Sequence, residues 1–232
     1  FKNSIKGHII TKVSNYGKWI FLVLGDLTIM SHLRMEGKYY YKDSKERIEK
    51  HEHIIFHLDD GYDLRYHDTR KFGVMKLVKT EYIYKTKEIS KLGIEPDNSS
   101  LTGKYVYNAI HKLKWPIKSA LLDQTIINGL GNIYADEVLF ASKINPGKEC
   151  CKVSLKSCDL IVESASRIIS KATKCGGTTI RSYTSSLGVK GNYQDYLCVH
   201  TKEGEPCPVC GSIIKKTRVG GRGTYYCPKC QK

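Results

Sequence analysis

The 232-residue chain has no long apolar stretch. Its longest uninterrupted run, Trp19-Ile20-Phe21-Leu22-Val23-Leu24, is six residues, whereas a helix crossing a bilayer needs about twenty. No charged-then-apolar leader opens the chain, so the expectation is a protein that is not secreted. Proline is scarce at 6 residues and no internal repeat is evident, which excludes collagen-like and mucin-like chains. Acid is short as well: 23 Asp+Glu face 38 Lys+Arg, a net charge of +15, and 30 of the basic residues are Lys. Such an excess implies a polyanionic partner, most simply nucleic acid. A soluble protein from a lysine-rich proteome is the competing reading. What is present is otherwise ordinary: 41% hydrophobic and 26% charged residues are globular values, enough for one large domain or two modest ones.

Nine cysteines are too many to pass over. Cys150, Cys151, Cys158, Cys175 and Cys198 follow no ligand spacing and read as small, mostly buried thiols of a reducing compartment. The other four form two C-x-x-C pairs, Cys207-Pro-Val-Cys210 and Cys227-Pro-Lys-Cys230, separated by sixteen residues. That spacing matches one structural zinc ion in tetrahedral sulfur ligation. Redox pairs or disulfides are the alternative. A closed four-sulfur site leaves no open coordination position, so the metal should fold the segment and perform no chemistry. Between the pairs, Ile213 to Tyr226 reads as a β-hairpin whose tip is Arg218-Val219-Gly220-Gly221-Arg222-Gly223. Glycines there allow close backbone approach and arginine offers a planar fork for phosphate; a solvated loop fits the local sequence equally.

Residues 1 to about 85 are β-rich, with short runs at 13–23, 27–30, 38–41, 54–58, 63–66 and 73–78 punctuated by Gly/Asp turns. Beyond a break at 85–98 the period becomes helical: 105–113, 117–123, 132–142 and 154–174. Residues 178–196 are Ser/Gly-rich and aperiodic, a mobile loop by composition. His51, His53 and His57 are expected on one face of a strand, as a polar, phosphate-facing surface and not a metal site.

Three further places could meet DNA. Asn128 to Glu137 puts a glycine-rich turn before a helix, with Asn132 as the expected N-cap, an anion site by its unpaired amides and dipole. An ordinary capped turn is the alternative, but Lys114 and Lys118 lie just upstream. Two loops, Ser31 to Gly37 and Asp68 to Gly73, combine a cation with a large apolar residue, Met35 in one and Arg70 with Phe72 in the other. Such wedges can fill the gap left when a base is extruded from a duplex. By residue type alone Met35 and Phe72 belong in the core.

In sum the chain resembles the bacterial formamidopyrimidine-DNA glycosylases, repair enzymes that excise oxidised purines such as 8-oxoguanine. The resemblance rests on His32-Leu33-Arg34-Met35-Glu36-Gly37, Lys50-His51-Glu52-His53, Asp68-Thr69-Arg70-Lys71-Phe72-Gly73, Gly129 to Glu137, and Gly204-Glu205-Pro206-Cys207 through Cys230. These segments stand in the family's order and span nearly the whole chain. Met35 with Arg70 and Phe72 is similar to the oxidised-purine branch more than to the oxidised-pyrimidine one.

The resemblance implies an α+β fold: an incomplete N-terminal β-sandwich (1–88), a helix–two-turn–helix domain (89–195) with a lesion lid at about 178–193, and a zinc-binding β-hairpin (196–232), with DNA in the cleft between. It implies that Met35, Arg70 and Phe72 fill the hole and contact the orphaned base. Lys18 would contact phosphate beside the lesion and assist elimination. His32, His51, Lys118 and Asn132 would hold the backbone, with Lys114 beside them. Arg222 would grip phosphates flanking the flipped nucleotide and assist the second elimination. Cys207, Cys210, Cys227 and Cys230 would hold one Zn2+. The implied partner is double-stranded DNA carrying an oxidised purine or an abasic site, bound by a cytoplasmic, nucleoid-associated monomer with no membrane contact. Family members begin with Pro-Glu, the nucleophilic amine and the acid–base group; this chain begins Phe1-Lys2-Asn3, so both are expected to be missing, with Lys18 the one local amine to name instead. The rival readings are a non-catalytic zinc-dependent protein that recognises damaged DNA, and a zinc-ribbon RNA-binding protein.

Overall fold

The short β-branched and aromatic runs of the first eighty positions form strands because each presents alternate apolar residues to one side. The computed structural model describes residues 1–178 and 191–232. A short helix, α1 (Lys2–Ile5), precedes β1 (Lys12–Tyr16), β2 (Trp19–Val23), β3 (Leu27–His32), β4 (Lys38–Asp43), β5 (Glu52–His57), β6 (Tyr62–His67) and β7 (Val74–Lys79). The run expected at 13–23 is two strands: Tyr16 pairs with Trp19, and Gly17, at φ 56°, reverses the chain so that Lys18 sits in the turn.

The strands form two antiparallel sheets, ordered β1-β2-β3-β7 and β4-β6-β5. Leu22, Leu24 and Ile29 of the first sheet are buried together, and Phe56 and Leu64 of the second pack against them with Met75 and Leu77. Two sheets meeting over one apolar layer make a sandwich, each buried Leu or Ile contributing about 1.5–3 kcal/mol. Residues 33–37 cross from β3 to β4, and residues 68–73 cross from β6 to β7. Because His32 pairs with Val74 and Lys38 with His67, both crossings leave the sandwich at the same end.

The expected histidine face does not form as drawn. His51 lies before β5 with a left-handed φ of 77°, and the pairing of β5 with β6 shifts register between Glu52 and Ile54. His53 is the extra residue of that bulge, without a cross-strand partner, so the three histidines do not follow one regular strand face, although the His51 and His53 rings still lie 6.1 Å apart.

The chain divides into two compact units: the first takes in Phe1–Ser90 and the described ends of Gly176–Gln194, the second Lys91–Cys175 and Asp195–Lys232. The expected lid falls mostly on residues 179–190, outside the described residues. At its ends Thr178 bridges Asn192, and Tyr193–Tyr196 is a 3-10 helix with Tyr193 buried.

The second unit holds α2 (Gly103–Ile110), α3 (Ile117–Leu122), α4 (Asn132–Ala141) and α5 (Leu155–Lys174), then β8 (Lys215–Val219) and β9 (Arg222–Tyr226). Thr102 and Ser154 cap α2 and α5 by accepting the amides of Tyr105 and Ser157. At α4 the cap is Gly131, not Asn132; Asn132 is the first helical residue, its side chain turned to another task below. From Ala135 to Phe140 every residue of α4 is buried, including Asp136 and Glu137.

Glu137 compensates its burial by accepting the amides of Cys198, Val199 and His200, each at 2.9 Å. Burial raises its pKa while the three donors oppose that rise. This carboxylate fastens the segment that enters the four-cysteine module to the central helix. Glu137→Ala would strand three buried amides, and we expect a loss of about 3 kcal/mol in urea unfolding; a loss below about 1 kcal/mol would contradict that account.

Candidate metal centre and nucleic-acid interface

The sulfurs of Cys207, Cys210, Cys227 and Cys230 all lie within 4.8 Å of one another, with Cys207–Cys230 at 3.9 Å and Cys210–Cys227 at 3.4 Å. A tetrahedral Zn–S bond of about 2.3 Å sets sulfurs close to 3.8 Å apart, whereas a disulfide needs about 2.05 Å. The donor set fits one structural zinc ion, and among the described residues no other cluster of this kind is found. Gly211, at φ 72°, turns the first knuckle, and the amide of Cys230 points at the Cys227 sulfur at 3.4 Å in the second. The ion would cross-link the two knuckles beneath a small core of Phe140, Val199 and Ile214.

The hairpin closes through Gly220 and Gly221, at φ 55° and 74°, the two left-handed positions of a type I′ turn. A Cβ on Gly220 would meet Ser119 Oγ of α3 at 2.4 Å, so the tip is seated against that helix. Arg222 follows the turn and is exposed. Lys118, expected to hold phosphate, is fully buried. Its Nζ donates to the Gly223 carbonyl at 2.9 Å and Thr224 Oγ1 at 2.8 Å, and pairs with Asp136 Oδ1 at 2.7 Å. Burial lowers its pKa, Asp136 opposes this and the Arg222 charge adds to it. Asn132 Nδ2 donates to the same Gly223 carbonyl at 3.1 Å. Asp136 Oδ2 accepts the Tyr225 amide and lies 2.7 Å from His200 Nδ1. The structure thus makes Lys118 and Asn132 hairpin anchors, with Arg222 presented beside them. Lys114 is exposed in the turn that follows α2.

In the first unit, Met35 and Phe72 stand 66% and 54% exposed, against the core placement that residue type suggests. Each follows a cation in left-handed conformation, Arg34 at φ 55° and Lys71 at φ 56°, a geometry uncommon for side chains of this size and concentrated at functional sites. The Arg70 guanidinium lies 4.7 Å from the Phe72 ring centroid, a cation–π contact that steadies both. His32 Nδ1 accepts the Arg34 amide at 3.0 Å, and its ring packs edge-on to Trp19. Burial, then the Arg34 and Lys18 charges, lower its pKa to about 4; Lys18 adjoins Trp19, which pairs across the sheet with His32. His51 rests 6.1 Å from His53 and 5.8 Å from His67, ring to ring.

The sequence does not single out Asp68, Tyr66, Asp136, Glu137 or His200. Two acids inside the apolar run of α4 were a legible sign of buried, bonded carboxylates. Asp68 opening a Thr-Arg turn was a sign of side-chain-to-backbone bonding. For Tyr66 and His200 the sequence carried none.

Two outcomes are expected. His32 should titrate by NMR near pH 4, not 6.5; since its lowered pKa favours the neutral ring, the stability it contributes is whole above 6.5 and fades as pH falls toward 4. Chelation should remove one zinc per chain and melt the hairpin, read as loss of the Tyr225 and Tyr226 environment in near-UV circular dichroism, with the first unit's strands retained.

Comparison with known proteins matches three family models: the formamidopyrimidine-DNA glycosylase N-terminal domain over residues 1–75, its H2TH domain over 92–184, and a zinc finger found in FPG and IleRS over 204–232. The chain is 44% identical over 231 residues to the formamidopyrimidine-DNA glycosylase of Bacillus cereus (strain ZK / E33L), covering 100% of this chain and 84% of that one. It is 42% identical over 233 residues to that of Ureaplasma parvum, covering 100% and 85%. Among solved structures it resembles the Lactococcus lactis Fpg in complex with an abasic site containing DNA, at a TM-score of 0.94 and 40% identity, over 100% of this chain and 85% of that one. A point mutant of the same enzyme in complex with a Fapy-dG containing DNA matches at 0.94 and 39%, with the same coverage. The chain belongs to the formamidopyrimidine-DNA glycosylase family.

Proposed function

We propose that this protein is a base-excision DNA glycosylase and AP lyase that removes oxidised purines, 8-oxoguanine and formamidopyrimidines, from duplex DNA after extruding the damaged nucleotide. The observation that carries the reading is the pair of exposed wedges, Met35 and Arg70–Phe72, raised on left-handed loops at one end of one sandwich. A duplex that has lost a base from its stack collapses unless the vacancy is filled, and two apolar residues together with an arginine suit both the void and the orphaned partner base.

The charged groups divide by task. Lys18, His32 and His51 are assigned to the phosphates next to the flipped nucleotide; His32, neutral at pH 7, binds by donation from Nε2 and not by charge. Arg222 and Lys114 are assigned to the backbone from the second unit, Arg222 by a bidentate fork. Lys118 and Asn132 act on DNA through the hairpin carbonyl they hold. Zinc supplies a cross-link only, since four thiolates leave it no site for substrate. Excision proceeds by attack of a protein amine on C1′, with departure of the base and formation of an imine to the opened sugar. The imine acidifies the C2′ proton, whose loss expels the 3′ phosphate by β-elimination; the resulting conjugated imine acidifies the C4′ proton, whose loss expels the 5′ phosphate by δ-elimination. Lys18 and Arg222 are the cations assigned to assist those phosphate departures. Acting on a bacterial chromosome, the protein works in the cytoplasm and is held at the nucleoid by its substrate.

Borohydride trapping tests the chemistry: on duplex DNA containing 8-oxoguanine opposite cytosine, or an abasic site, a covalent adduct is expected. Selective binding with no adduct at any pH would leave a non-catalytic damaged-DNA-binding protein. Arg222→Ala should weaken lesion-duplex binding about tenfold and lower the salt slope of log K by about one, with zinc content unchanged. Equal affinity would remove the hairpin tip from the interface.

A further inference from the structure

The two wedge-bearing loops share one foundation. Asp68, 1% exposed, accepts the Arg70 amide on Oδ1 at 3.0 Å and the Gly73 amide on Oδ2 at 2.9 Å. The Tyr66 hydroxyl also donates to Oδ2, at 3.0 Å. One carboxylate therefore fixes both ends of the turn that carries Phe72. It remains charged: burial would raise its pKa, but the Gly73 and Arg70 amides and the Tyr66 hydroxyl hold it below the ordinary carboxylate value.

The Tyr66 hydroxyl reaches the other loop too. A Cβ on Gly73 would lie 1.6 Å from it, and a Cβ on Gly37, which ends the Met35 loop, 2.7 Å from it. Each loop thus closes on a glycine against the same phenol, with the Leu33 carbonyl, 2.5 Å from the Gly37 Cβ position, crowding the first loop as well. Across their outer parts the exposed Thr69 hydroxyl donates to the Glu36 carboxylate. The loops even repeat one local device: an acceptor at the loop's root, His32 Nδ1 or Asp68 Oδ1, takes the amide of an arginine two residues on.

We propose that Asp68 is a positioning residue, working with Tyr66 and the Glu36–Thr69 contact, that locks the Met35 and Arg70–Phe72 loops into one rigid wedge and so sets how selectively the protein engages DNA that lacks a base. The proposal rests on the glycosylase reading above. Two apolar side chains on independent loops would each sample many positions, and filling one void would require ordering both at the moment of binding. A shared carboxylate and phenol complete that ordering in the free protein, which improves binding only where a void exists. Undamaged duplex, held through phosphates, gains nothing from it.

The test uses the full chain and a duplex carrying a tetrahydrofuran abasic-site analogue opposite 2-aminopurine, beside the same duplex undamaged. The native protein should prefer the tetrahydrofuran duplex and raise 2-aminopurine fluorescence as the orphaned base unstacks. Asp68→Asn, which offers donors where acceptors are needed, should lower that preference about tenfold and suppress the fluorescence rise, with affinity for undamaged duplex within about twofold. Glu36→Gln and Thr69→Val, both at exposed positions, should each cost about threefold, and the double variant no more than either alone. If the native protein discriminates and all these variants discriminate equally well, the positioning role is wrong and the glycosylase reading stands. If the native protein shows no preference, that reading fails and the proposal with it. If Asp68→Asn does not fold, the Glu36 and Thr69 variants decide by the same criteria.

Discussion

The hairpin's usefulness depends on one pair of adjacent acids. Asp136 and Glu137 follow each other in a helix whose every face is covered from Ala135 to Phe140, and each is held by donors from outside that helix. Glu137 accepts three successive amides of the segment entering the cysteine module. Asp136 accepts from Lys118, lies against His200, and receives the amide of Tyr225. Burying a charge this completely is costly unless its partners are already in place. The pair therefore specifies one seating of the hairpin on the helices. A zinc knuckle alone fixes four sulfurs; it says nothing about where the far end of the hairpin should go.

Arg222 follows from that seating. Its neighbours on the chain are glycines, free to move by residue type, yet Lys118 and Asn132 both hold the carbonyl of Gly223 and Ser119 leaves no space beside Gly220. A flexible arginine would give up conformational freedom on meeting a phosphate. This one stands on backbone that is immobilised beforehand, at the cost of a lysine kept inside the protein.

The first unit solves a similar problem with different chemistry. Its wedges are apolar and must stay in water until DNA arrives, so packing cannot hold them. Hydrogen bonds to the loop backbone do so instead: Asp68 beneath one turn and His32 beneath the other, with Tyr66 between their terminal glycines. The left-handed φ of Arg34 and Lys71 costs on the order of 1 kcal/mol at each, and these bonds offset it. A neutral His32 is part of the arrangement, because only an unprotonated Nδ1 can accept the Arg34 amide.

By itself the sequence determined the zinc donor set, since two C-x-x-C pairs at that spacing leave few other uses for four thiols. It also determined the strand-then-helix order, since the apolar period changes from two to 3.6 within one chain. An element end was legible at Ser154, which caps α5, but not at Gly17, where the run 13–23 divides into two strands, nor at Thr102, where the helix begins two residues before the expected start. Tertiary structure alone decided which cations face solvent. Lys114 and Lys118 are the same residue type four positions apart, yet one is exposed and the other fully buried, because Asp136 and the hairpin carbonyl lie over the second and nothing local announces them. It likewise decided that Asn132 anchors a hairpin instead of capping its own helix, and that Met35 and Phe72 stand in water. Burial is a property of what packs from elsewhere in the chain, and no run of neighbouring residues encodes it.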